Sequence, residues 1–146
     1  MILDEIFNSK IKVYAFVGPS GTGKSYRAQM VASEKNIKFI IDDGLLIMDN
    51  KVIAGESAKK APTKVGTVKH ALFYEEEERN NIIKALRKYR PQSILILGTS
   101  DGMVKKIAAN LGLPEISEII YITDVATEQE METARRIRVT EGKHVI

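Results

Sequence analysis

Cysteine is absent from the 146 residues, and histidine occurs only as His70 and His144. Disulfides and thiolate-held zinc or iron–sulfur centres are thereby excluded. A histidine-built metal site or catalytic triad has little material. No apolar run approaches the roughly 20 residues that a helix needs to cross a bilayer. Nor does the N-terminus show a basic stretch followed by an apolar segment and a small-residue cleavage site. A cytoplasmic chain with no membrane partner is expected. Charge is also nearly balanced, 22 Lys and Arg against 19 Asp and Glu, for a net +3. Spread along the chain, that excess suits an anionic small ligand and argues against nucleic acid. A hydrophobic fraction of 44% and a charged fraction of 28% are ordinary, and the length suits one domain with a sizeable core.

What is present is an alternation of strand-like and helix-like segments. Residues 1–8 carry Ile2, Leu3, Ile6 and Phe7 at helical spacing. Residues 11–17 form an apolar, β-branched and aromatic run that reads as a buried strand. Residues 25–35 put Ala28, Val31 and Ala32 on one helical face, with Asn36 placed to end the helix. A second strand spans 37–41. Residues 45–48 and 51–54, separated by Asp49-Asn50, read as a hairpin appended to the sheet. Residues 55–66 are the most loop-like segment. One long helix is predicted over 67–89, ended by Pro91. A strand over 93–97, a helix over 103–111, a strand over 116–122 and a last helix over 126–140 follow. Strands that are continuously apolar and alternate with helices predict an α/β fold with a mostly parallel sheet covered on both faces.

Gly18-Pro19-Ser20-Gly21-Thr22-Gly23-Lys24-Ser25 joins the first strand to the first full helix. It matches G-x-x-x-x-G-K-[ST], the phosphate-binding P-loop. The glycines let backbone N–H groups converge on an anion-sized hollow, and the helix adds the positive end of its dipole. Lys24 has the reach for the β- and γ-phosphates, and Ser25 offers a hydroxyl to Mg²⁺. A Gly-rich turn with an accidental lysine would not predict the strand and helix that flank it. The candidate nucleotide-contacting residues are Gly18, Ser20, Gly21, Thr22, Gly23, Lys24, Ser25 and Tyr26.

A P-loop also needs a carboxylate near the metal, at the carboxyl end of a neighbouring strand. Asp42 and Asp43 close one strand, Asp101 follows another, and Asp124 a third. Asp101 and Asp124 are also placed to cap helices. Two adjacent carboxylates repel unless a cation or base lies between them, which puts Asp42 and Asp43 ahead of Asp101. Asp42 and Asp101, with Ser25, are the candidate metal ligands. Arg135, Arg136 and Arg138 lie in the last helix, Arg135 and Arg138 on one face. They read equally as arginine fingers that stabilise transferred charge or as a solvent-facing basic helix end. Lys59, Lys60, Lys64, Lys69 and His70 are better read as a solvated loop than as an acceptor clamp. Glu75 to Glu78 are expected to face water.

The Gly18-x-x-Gly21-x-Gly23-Lys24-Ser25 loop resembles that of P-loop nucleoside and nucleotide kinases, and of AAA-type ATPases. The resemblance covers the β/α order of nearly the whole chain, though the specific motif covers only the loop. It implies a three-layer domain with sheet order 2-3-1-4-5, ATP or GTP and Mg²⁺ as cofactors, and an anionic phosphoryl acceptor. It also implies a basic lid where Arg135, Arg136 and Arg138 fall. His144-Val145-Ile146 would begin the fifth strand, so the chain looks like the N-terminal part of a longer bacterial ATP-binding protein. The Asn-Lys-x-Asp motif of Ras-type GTPases and the Leu-Ser-Gly-Gly-Gln signature of ABC subunits are absent. So are an apolar run capped by Asp-Glu and the acceptor-site arginines of guanylate and adenylate kinases. The acceptor and the oligomeric state stay open. A phosphoryl-transfer enzyme is the first reading, and a nucleotide-sensing module with little turnover the second.

Overall fold

Apolar residues on both sides of each central strand build a sheet with a core on either face. The computed structural model describes residues 11–19, 24–56 and 64–125. Its strands are β1 (Lys12–Val17), β2 (Phe39–Asp42), β3 (Leu45–Met48), β4 (Lys51–Gly55), β5 (Ser93–Gly98) and β6 (Ile116–Tyr121). They form one sheet in the order β4-β3-β2-β5-β1-β6. β1 lies parallel between β5 and β6, and β2 is parallel to β5. β3 and β4 extend the sheet antiparallel beyond β2. The helices are α1 (Lys24–Glu34), α2 (Lys64–Ala71), α3 (Glu76–Tyr89), α4 (Asp101–Asn110) and α5 (Ile122–Val125). The expected helix over 1–8, Arg135, Arg136, Arg138 and the stub at His144 to Ile146 lie outside the described residues.

Successive residues of each strand divide between two cores. Val13, Ala15, Ile41, Ile94 and Ile96 pack with Ile82 and Leu86 of α3 and Val104 and Ile107 of α4. Phe16, Ile40, Leu95 and Leu97 pack with Ala28, Val31 and Ala32 of α1. Ile94, Leu95 and Ile96 have no exposed surface, and each such burial stabilises the fold by about 1.5–3 kcal/mol. The three expected helix-face residues of α1 are thus its buried ones.

Local chemistry sets the turns. Asn36 at φ 58° ends α1. Asn36 N–H donates to Ser33 and Ile37 N–H to Ala32, a left-handed Schellman end sealed by buried Ile37. Asp49 and Asn50, at φ 50° and 65°, form the predicted β3–β4 turn. Asp43 and Gly44, at φ 54° and 81°, make a second two-residue turn between β2 and β3. Positive φ at both central positions is what tight hairpins require and what Asp-Gly supplies.

The single helix expected over 67–89 is two helices. α2 stops at Ala71, and Phe73 turns at φ 57°. Phe73 is 1% exposed, so the break serves to drive its ring into the core. The Arg79 guanidinium donates to the carbonyls of Phe73 and Tyr74 and holds the reversal. Glu76, Glu77 and Glu78 then fill the first turn of α3, where carboxylates favour the helix dipole. Other bounds shift less. The loop expected to reach 66 gives way to helix at Lys64. α4 starts two residues early, at Asp101, with Ser100 Oγ accepting from Met103 N–H at 3.1 Å. Ser100, not Asp101, is therefore its cap. The last helix begins by Ile122, four residues before its expected start.

Candidate nucleotide-phosphate site

The path from β1 to α1 is fixed at both ends of the P-loop. Gly18 N–H donates to the Gly98 carbonyl at 3.1 Å, which ties the end of β1 to the end of β5. Lys24, the first residue of α1, donates from Nζ to the Gly18 carbonyl at 2.9 Å. The lysine thereby reaches back across the loop to its opening residue. Ser20 to Gly23, the middle of the motif, lie outside the described residues. Tyr26 is 66% exposed.

Ser25 supplies the decisive contact. Its Oγ donates to Asp42 Oδ2 at 2.8 Å. Asp42 is the last residue of β2, and β5 lies between β2 and β1. The sheet therefore brings a carboxylate from one strand away to the helix that follows the P-loop. Both residues are half-buried. A hydroxyl and a carboxylate are hard oxygen donors of the kind Mg²⁺ takes. Among the described residues no cluster of three His, Asp or Glu could hold a metal alone. The pair suits a cation that completes its shell with phosphate oxygens and water. By that donor chemistry, Ser25 and Asp42 fit the expected Mg²⁺.

The other carboxylates are placed differently. Asp43 is half-buried in the Asp43–Gly44 turn, one residue past Asp42. Asp101 accepts the Tyr121 hydroxyl on both oxygens, at 3.0 and 2.9 Å. Tyr121 donates that bond only while neutral, which raises its pKa above the ordinary 10.0, helped by slight burial and by the charges of Asp101 and Asp124. Asp124 Oδ2 accepts from Tyr121 N–H at 3.2 Å.

The pattern of the ATPase family associated with various cellular activities (AAA) matches residues 14–119. The chain belongs to the AAA family. As a member it is a P-loop ATPase domain that binds nucleoside triphosphate, and the match runs from β1 into β6, over Lys24, Ser25 and Asp42. No curated protein and no solved structure matches the chain.

In this AAA domain the loop lysines and the acidic run separate into different roles. Lys59 and Lys60 lie outside the described residues, and Lys69 is exposed, with its ammonium 5.1 Å from the Tyr74 ring centre. His70 is instead a clasp. Its Nε2 donates to the Glu56 carbonyl, and Nδ1 faces the Glu78 carboxylate. Glu75, Glu76 and Glu77 are exposed as expected, whereas Glu78 is half-buried against His70. Neither the His70–Glu78 pair nor the Tyr121–Asp101 bond leaves a mark in the sequence. Each joins two separate elements, and neither spacing is local.

Proposed function

We propose that this AAA-family chain is an Mg²⁺-dependent, ATP-using phosphoryl-transfer enzyme of the small-molecule kinase type. The observation that carries the reading is the Ser25–Asp42 hydrogen bond, which joins the P-loop hydroxyl to a strand-end carboxylate. The order β2-β5-β1-β6 of the parallel strands supports the kinase-type arrangement. Lys24 and the loop amides hold the phosphates, and Ser25 and Asp42 hold the cation. Bound Mg²⁺ would neutralise charge on the phosphates.

In the transfer, an acceptor oxygen bonds to the γ-phosphorus while the bond from that phosphorus to the β,γ-bridging oxygen breaks. ADP leaves with the bridging oxygen. The acceptor's proton passes to Asp43, next to the metal-side carboxylate. Arg135 and Arg138 neutralise developing charge.

Calorimetry on the Lys24→Ala chain tests the premise. Mg-ATP affinity should fall at least about tenfold, or 1.4 kcal/mol; an unchanged affinity sinks the reading. Product analysis then separates the reactions. ADP with phosphorylated acceptor supports transfer, ADP with inorganic phosphate for every acceptor means hydrolysis, and binding without turnover means a nucleotide-sensing module.

A further inference from the structure

A cavity of about 820 Å³ lies between the edge strand β4 and α3. Its lining reaches from Gly44, two residues past Asp42, along α3 as far as Tyr89. Its lining is polarised. Glu77 and Glu78 stand at the N-terminal end of α3, and Lys84 and Lys88 stand further along the same stripe. At 1.5 Å of rise per residue, Glu77 and Lys84 are separated by about 10 Å along the axis. Between Glu77 and Lys84 the helix presents the neutral amide of Asn81, and Ile53, Ala54, Phe73 and Ala85 add apolar wall elsewhere in the lining.

The helix does not neutralise these charges itself. Four residues after Glu77 comes Asn81, and four after Lys84 comes Lys88, so the stripe holds no opposite pair at that spacing. Among the described residues neither Glu77 nor Lys84 has an ion-pair partner. A carboxylate station, an uncharged stretch of α3 and an ammonium station in one cavity complement a molecule with the reverse order of charge.

We propose that this cavity binds a zwitterionic small molecule, its ammonium end at Glu77 and Glu78 and its anionic end at Lys84 and Lys88. The acidic end is wired to the nucleotide side. Glu78 faces His70, and His70 holds the Glu56 carbonyl. A Cβ placed on Gly44 would stand 2.6 Å from the His70 ring and 2.7 Å from the Glu56 carbonyl, so the clasp packs directly on the turn behind Asp42. An ammonium drawn to Glu78 competes with His70 and loosens that turn. Occupancy of the cavity is thereby felt at Asp42. This coupling, unlike the binding, rests on Asp42 being the metal-side carboxylate.

The probe is 8-aminooctanoate, which spans the separation of the two stations, with octanoate and octylamine as single-charge controls. Amide NMR of the whole chain should show saturable shifts at Gly55, Asn81, Lys84 and Lys88. The Lys84→Ala/Lys88→Ala double variant should weaken probe binding roughly fivefold, the upper range for an exposed ion pair, with the fold and Mg-ATP affinity kept. Absence of saturable shifts, equal shifts with octanoate alone, or no effect of the double variant would overturn the site. Calorimetry reads the coupling. Saturating probe should change Mg-ATP affinity, and His70→Ala should abolish that change. Probe binding with no change in Mg-ATP affinity overturns the coupling. The Lys24→Ala chain should bind the probe as the native chain does, which separates the cavity from the nucleotide reading.

Discussion

Asp42 ends β2 and Asp101 follows β5, the adjacent parallel strand, so both stand at the same edge of the sheet. Asp42 accepts the Ser25 hydroxyl, from the helix that follows the P-loop. Asp101 accepts the Tyr121 phenol, from the edge strand β6. Their surroundings differ as much as their partners. Behind Asp42 the turn is tightly braced: a Cβ on Gly55 would lie 2.2 Å from the Gly44 carbonyl oxygen. Beside Asp101, a Cβ on Gly102 would find nothing closer than Ser100 Oγ at 4.0 Å. Position at the sheet edge makes a carboxylate eligible for metal chemistry. The partner that reaches it, and the rigidity of the turn that carries it, distinguish the one suited to that work.

The largest expected effect breaks the brace. Gly55 sits at φ 91°, so Gly55→Ala adds left-handed backbone strain to a backbone overlap and should cost about 2–4 kcal/mol. Gly102→Ala, in open space within a helix, should stabilise by about 0.5–1 kcal/mol. Urea unfolding measures both, and equal midpoints would erase the contrast between the two ends.

The next effect sharpens the contrast in partners. In a double-mutant cycle read by Mg-ATP affinity, Ser25→Ala and Asp42→Ala should couple by about 1.5–3 kcal/mol, the range for a hydrogen bond to a charged group. Ser25→Ala and Asp101→Ala should be additive within about 0.5 kcal/mol. Coupling of Ser25 to Asp101 as strong as to Asp42 would mean that the wrong carboxylate has been assigned to the metal.

The smallest effect lies at the Asp101 end. The Tyr121 phenol should titrate above its ordinary 10.0, and Asp101→Asn should bring it back toward that value, as followed by ultraviolet titration. Because the folded pKa is raised, the neutral phenol's contribution to stability is complete below the ordinary value. It is lost as pH climbs through the folded one. Titration of Tyr121 at its ordinary value in the native chain would dissolve the Tyr121–Asp101 link.

What was legible in the sequence follows from how local its causes are. The P-loop, its strand and its helix are contiguous, so Gly18 to Ser25 and the buried Ala28, Val31 and Ala32 could be read directly. Asp49-Asn50 announced its own hairpin. Asp43-Gly44 carries the same turn chemistry, but Asp43 also adjoins Asp42, and paired carboxylates read equally as a charged site. The break at Phe73 was not legible, because residues 71–74 contain neither Gly nor Pro. A positive φ at phenylalanine is costly, and only the core that receives its ring explains it. Ser25 with Asp42, Tyr121 with Asp101 and His70 with Glu78 are pairings made by topology. Sequence could nominate Asp42 from its strand end, but it took the strand order to bring Ser25 to it.

The register also orders the molecule in time. β2 meets β3 across a two-residue turn, with Asp42 opposite Leu45, and hairpins of this kind close in about 1–10 μs. β1 can pair with β5 only when Lys12 finds Ser93, a closure that spans most of the chain and is correspondingly slow. Asp42 is therefore seated early, on a turn that needs only its neighbours. Ser25 is delivered to it late, by the long-range pairing. The phosphate site thus joins a local half to a distant half, and a chain in which β1 has not found β5 carries its carboxylate on its turn with no hydroxyl to meet it.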